Sequence, residues 1–147
     1  MEIRNDCYAK YRGGEYRFFE KDNSYRLQAS ISQNLLNLGF KKYTQKELKE
    51  KIYIDLDINE IVSAYQVSTY CKYKGFVFFI ENSFEDIFTL LPLKEAQEHF
   101  RDFPHHGYDP SYEAKENEME EIWEERKPIE GFAFDVEPIF FIKKKET

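Results

Sequence analysis

Two stretches of this chain repeat one awkward pattern. YAKYRGGEYRF runs from Tyr8 to Phe18 and YCKYKGFVFF from Tyr70 to Phe79, and both fit Y-x-K-Y-[K/R]-G-x-x-[Y/F]. Apolar and polar residues alternate before the glycine, which is strand periodicity and not helix periodicity. The glycine supplies positive φ at no steric cost, so each stretch reads as a β-hairpin. Gly13-Gly14 is expected as the first turn and Gly75 as the second. Tyrosines ahead of each turn can pair across strands with the aromatics after it. A hairpin written twice predicts a predominantly antiparallel sheet built from two similar hairpin units.

The rest of the first 91 residues fits that sheet. After Glu15–Lys21 returns, Asp22-Asn23-Ser24 is a turn signal and Tyr25–Ser30 a third strand. Thr44-Gln45-Lys46-Glu47 has the spacing of a helix capping box, so a short helix is expected there. In IYIDLDINEI, Ile52, Ile54, Leu56 and Ile58 alternate with Tyr53, Asp55 and Asp57, the mark of a half-buried strand. Asn59–Ala64 suggests one helical turn. Phe76–Glu81 is apolar throughout, as a central strand is; ENSFED breaks it, and Ile87–Leu91 continues as a strand.

The texture changes over residues 92–147. Leu93, Ala96, Phe100 and Phe103 recur at helical spacing, so Leu93–Phe103 reads as a helix ended by Pro104. HHGYDP reads as a loop. Tyr112–Lys127 reads as a second helix with an apolar stripe of Tyr112, Met119, Ile122 and Trp123, stopped by Pro128. Gly131–Lys144 reads as a final strand or hairpin interrupted at Pro138. The expectation is one α+β domain, residues 1–147, with two helices packed on the sheet in the C-terminal half.

Charge is distributed unevenly. Residues 1–80 carry 10 acidic and 13 basic residues; residues 81–147 carry 18 and 8, so a net −7 chain holds its negative charge at one end. A nucleic-acid binder shows the reverse, a concentrated basic patch, and no nucleic acid is expected. No apolar run approaches 18 residues and no apolar leader opens the sequence, so neither a membrane span nor a signal peptide is expected. Two cysteines, Cys7 and Cys71, hold equivalent places in the two repeats; they are read as free thiols in a reducing compartment, with a disulfide between them as the alternative.

Chemical motifs fail on inspection. Asp55, Asp57 and Asn59 begin like a calcium loop, but Glu60 stands where glycine is needed and Gln66 where the bidentate acid belongs. His99, His105 and His106, with Asp102 and Asp109, match no zinc spacing. There is no G-x-S-x-G elbow and no phosphate-binding loop. Cys71 with a histidine would make a nucleophile and base, but Cys71 lies within what reads as a structural strand. No catalytic residue, cofactor or metal is expected, and the chain is read as a binding protein and not an enzyme.

The segments YAKYRGGEYRF, YCKYKGFVFF and IDLDINEIVSAYQVSTY together resemble the small immunity proteins of bacterial polymorphic, contact-dependent and LXG-type toxin systems, over about the first 90 residues. The resemblance implies a cytoplasmic protein, monomer or homodimer, that binds and neutralises a cognate toxin domain, often a nuclease with a basic surface. It carries over no catalytic residue. The alternatives are a non-catalytic adaptor with no toxin partner and, ranked lower, a small enzyme or ligand sensor. The expected contact surface is the acidic C-terminal region. Asp109, Glu113, Glu116, Glu120 and Glu124 supply charge, the last four along one face of the expected helix, with His106, Tyr108 and Tyr112 as rim or anchor contacts. Carboxylates beside tyrosines suit an interface, because tyrosine buries area at little entropic cost and still hydrogen-bonds.

Overall fold

The computed structural model of the chain describes residues 2–100, 105–106 and 109–144. The fold is of α+β type, mostly antiparallel strands with two short helices. Two compact units are distinguished.

The first unit comprises Asp6–Gln66 and Lys127–Val136. It opens with a meander of β1 (Cys7–Tyr11), β2 (Gly14–Lys21) and β3 (Ser24–Ser30). Tyr8 lies opposite Arg17 and Tyr11 opposite Gly14, so the turn residues are Arg12-Gly13, one place earlier than expected. Both have positive φ, 45° and 80°. Such a two-residue turn has the twist that continues the two strands. Gly14 is thereby released to the strand.

Helix α1 (Gln33–Asn37) follows β3. It was not legible in advance: five residues are too few to show a period, and its Leu35 and Leu36 are held by packing on the core. The helix expected from Thr44 to Glu47 is only a 3₁₀ turn, Lys46–Leu48. Then come β4 (Lys41–Lys42, just before that turn) and β5 (Lys51–Leu56), which pairs with β3. The period-two reading holds in β5, where Ile52 and Leu56 are buried and Asp55 is exposed. Ile58 departs from it, because the chain turns into a 3₁₀ segment, Ile58–Glu60, and leaves that side chain in solvent. Across the pair, Arg26 donates two hydrogen bonds to the Asp55 carboxylate, 2.7 and 3.0 Å, and lies 4.0 Å from the Tyr53 ring centre. This fork holds the Asp55 carboxyl below its ordinary pKa.

Strand β6 (Ser63–Tyr73) brings Ser63–Gln66 against β1. The core gathers Ala9, Tyr11, Phe18, Leu27, Phe40, Ile52, Leu56, Ile61 and Ala64. Residues from far along the chain complete it. Phe132 meets Phe18 and Tyr25 edge-on, with ring centres 5.2 and 4.9 Å apart. Ser63 donates to the Ala133 carbonyl at 2.8 Å and accepts the Asp135 N–H at 3.0 Å.

The second unit comprises the described residues of Met1–Asn5, Val67–Arg126 and Glu137–Thr147. From Tyr70 to Tyr73 β6 pairs with β7 (Phe76–Phe84), and β7 pairs with β8 (Ile87–Pro92). Tyr73 lies opposite Phe76, so Lys74-Gly75 is the turn, again with both φ positive, 52° and 84°. The expected break at ENSFED is a bulge beside Glu81, after which β7 continues to Phe84. Next to this bulge the side chain of Asn5 enters like a peptide unit. It accepts the Thr69 N–H at 2.8 Å and donates to the Ile80 and Glu81 carbonyls at 2.8 and 3.1 Å.

Helix α2 (Lys94–His99) is shorter than the expected Leu93–Phe103 helix: Leu93 is extended, and Phe100 (φ −104°, ψ 86°) has already left helical geometry; residues 101–104 lie outside the described residues. Two short strands follow, β9 (His105–His106) and β10 (Asp109–Pro110), paired with each other. The expected second helix, Tyr112–Lys127, does not form. Its residues make β11 (Tyr112–Lys115), a 3₁₀ turn (Glu116–Glu118) and β12 (Glu121–Pro128). β11 pairs with β8, β12 with β6 and with β13 (Ile139–Lys143). Glutamate is a good helix former, but a helix here would stack like charges at i,i+4. The extended chain separates them and buries Ala114, Met119 and Ile122 with Cys71, Tyr73, Phe78, Ile80, Phe88, Leu90 and Ala96. Among the described residues, the C-terminal half therefore has one helix, α2, instead of two.

Both cysteines are free thiols, Cys7 half-buried and Cys71 fully buried. Burial pushes the Cys71 thiol up to about 12, the direction expected of a group kept neutral in an apolar core. Among the described residues no helix is long and apolar enough to cross a membrane.

Candidate functional site

The residues expected to form one acidic face are dispersed. Glu124 is 5% exposed, against the expectation of a solvated carboxylate. It accepts from Arg4 Nε and one guanidinium nitrogen at 3.0 and 3.2 Å, and from Arg126 at 3.2 Å. Two guanidinium groups on one buried carboxylate make it a structural clamp. Glu120 is half-buried and accepts the N–H of Gly75 at 2.9 Å, capping the second hairpin turn. Glu116 is half-buried in the 3₁₀ turn, its N–H bonded to the Asp86 carbonyl at 3.0 Å. Tyr112 is half-buried beside Tyr73, with ring centres 5.5 Å apart, and Lys74 Nζ lies 5.7 Å from its ring. Burial and a hydrogen bond with Tyr112 raise the Tyr73 phenol. His106 and Asp109 lie opposite each other in the β9–β10 pair. Tyr108 lies outside the described residues.

Of that set, Glu113 remains an exposed carboxylate, and the structure surrounds it with residues the expectation omitted. Register places Ile87 opposite Lys115 and Thr89 opposite Glu113. Phe84 and Ile87 face each other across the turn Glu85-Asp86, where Glu85 has φ 57°. The side chains of Ile87, Glu113, Lys115, Asn117 and Glu118 line a shallow cleft of about 410 Å³. The Lys115 N–H donates to the Glu118 carboxylate at 2.7 Å, which fixes the tight turn on one side of the cleft.

The result is an apolar pair in an acidic frame. Phe84 is 76% exposed, the most exposed large apolar side chain among the described residues, and Ile87 is also exposed. Exposed carboxylates of Glu85, Asp86, Glu113 and Glu118 belong to the same end of β7, β8 and β11. This arrangement is written in ENSFEDI, an aromatic between acids at a turn, whose letters also read as a strand break.

Among the described residues no group of three or more His, Cys, Asp or Glu side chains is placed to hold a metal ion. Residues 3–129 match the family described as Uncharacterised conserved protein UCP033725. The chain belongs to this family. Comparison of this UCP033725 member with curated proteins gave no match, and comparison with solved structures gave none.

Proposed function

We propose that this chain is a non-catalytic binding protein, an immunity protein that neutralises a cognate bacterial toxin domain, and that a basic surface of the toxin docks over Phe84. The observation that carries this reading is the exposed Phe84 ring with Ile87 inside a frame of Glu85, Asp86, Glu113 and Glu118. An aromatic anchor with a charged rim is the usual division of labour at an interface: the anchor supplies affinity on desolvation, the rim steers the approach. A nuclease domain presents lysines and arginines where phosphates bind, so the carboxylates would meet the complementary field. Such a protein would act in the cytoplasm, where the toxin acts.

The scaffold reading belongs to the same proposal: the two units are two versions of one building block. Its support is a set of matched details. The turns Arg12-Gly13 and Lys74-Gly75 share their φ values and follow Tyr11 and Tyr73. Phe18 faces Leu27 in one meander, and Ile80 faces Leu90 in the other. A short helix follows each third strand, and a later strand, β5 or β11, pairs back onto it. The Val62 N–H bonds the Lys10 carbonyl as the Glu120 N–H bonds that of Lys72. One copy can hold the fold while the turns of the other diverge toward a partner.

Co-expression with the toxin domain encoded beside the gene tests the function. Protection of the cells is expected. Phe84→Ala, and separately the triple reversal of Glu85, Asp86 and Glu113 to lysine, are expected to abolish protection and slow association while circular dichroism stays unchanged. Protection that survives both variants moves the toxin elsewhere; no protection by the native chain leaves the adaptor reading.

A further inference from the structure

β13 is bonded on one side only: among the described residues its partner is β12. Its residues Ile139, Phe140 and Phe141 are 51%, 49% and 42% exposed. Successive residues of a strand face opposite sides. Three exposed apolar residues in a row therefore leave both faces of β13 in water as well as its outer edge. Cover is thin: the Arg126 guanidinium lies 4.8 Å from the Phe140 ring centre, and Lys144 Nζ 5.1 Å from that of Phe141. An apolar edge of this kind is a template for another strand, and no inward charge or proline interrupts residues 139–141; the register against β12 shifts only after Phe141, where Ile142 is the extra residue.

Sequence order says what the other strand is. Glu137 precedes the apolar run and Lys143 and Lys144 follow it. An acid–apolar–base segment is complementary to itself when turned end for end. With Phe140 opposite Phe140 of a second copy, Ile139 lies opposite Phe141, twice by symmetry; the regular ladder stops at the bulge after Phe141, and beyond it Glu137 faces the lysine end of the partner's strand, Lys143 and Lys144. Lys143 is available for this, since its Nζ makes a long 3.5 Å contact with the Glu116 carbonyl.

Backbone parity selects the same register. The Arg126 N–H donates to the Pro138 carbonyl at 2.7 Å, so residue 138 turns its polar groups toward β12. By alternation Phe140 does likewise, and Ile139 and Phe141 turn theirs outward. Those outward groups are the ones that meet when Phe140 lies on the axis. The N–H that Pro138 lacks falls on the inner side, where it costs the free edge nothing.

We propose that β13 pairs antiparallel with β13 of a second copy of this chain, about a two-fold axis at Phe140, closing both edges in an isologous dimer. Sedimentation of the full chain from low to high micromolar concentration tests it. A dimer is expected. Phe140→Lys, which sets two ammonium groups together on the axis, is expected to give a monomer with unchanged circular dichroism. Glu137→Lys and Lys143→Glu are each expected to weaken the dimer, and the two together to restore it. A monomer at every concentration overturns the proposal, as does a dimer indifferent to Phe140→Lys. A dimer weakened by Phe140→Lys but with no rescue in the double exchange overturns the register.

Discussion

Glu124 shows how far a single side chain can be misread. In the sequence it is one of many glutamates, and so many carboxylates populate every helical spacing by chance. Its decisive partner, Arg4, stands 120 residues away, beyond any local signal. Removing one member of a buried ion cluster leaves the others desolvated and unpaired, at a cost of ~3–5 kcal/mol. Glu124→Ala takes the shared carboxylate from two guanidinium groups and is expected to lower the unfolding free energy from urea titration by an amount of that order. Glu113→Ala, on the open surface, is expected to leave the midpoint nearly unchanged. Residues whose roles depend on their immediate neighbours were readable: Ile52 and Leu56 are buried and Asp55 exposed, as alternation requires.

At the scale of elements, the hairpins were legible because turn chemistry is local. A positive-φ pair needs glycine at one place, and strand alternation needs only a few residues on either side. The short α1 was not legible, and the expected C-terminal helix rested on an apolar stripe of Tyr112, Met119, Ile122 and Trp123, which pairing with β8 and β13 overrode. The exposed pair Phe84 and Ile87 is not legible either, because the letters of a tight turn also read as a strand break. The two hairpins also differ in a testable way. Glu120 caps the Gly75 N–H, but Val62 makes the corresponding main-chain bond in the first unit and brings no acceptor. One charge-assisted hydrogen bond contributes about 1.5–3 kcal/mol when well desolvated and less at a half-exposed turn. Glu120→Ala is expected to speed amide exchange at Gly75 severalfold. Val62→Glu is expected to slow it at Gly13 and raise the melting temperature.

For the whole molecule, composition and alternation sufficed for the α+β class, because class depends on sums over many residues. How the chain divides did not show, since each unit borrows a distant segment. The first unit takes Ile129 and Phe132 from beyond residue 126; the second takes Ile3, Arg4 and Asn5 from before residue 6 and β13 from after 136. Phe132→Ala removes the ring that closes on Phe18 and Tyr25, and for a half-buried phenylalanine a loss of about 2–3 kcal/mol is expected in denaturant titration, below the ~3–5 kcal/mol of a fully buried ring.

This interleaving sets the order of events at the ribosome. The N-terminal residues emerge first, yet the first core lacks its closing aromatic until Phe132 has been made, and the second lacks its last strand until Lys143. Neither core can close until a segment far beyond its hairpin has been made. Until residues 132–143 have emerged, strands rich in tyrosine and phenylalanine lack their closing partners, and that interval is when the nascent chain most needs a chaperone.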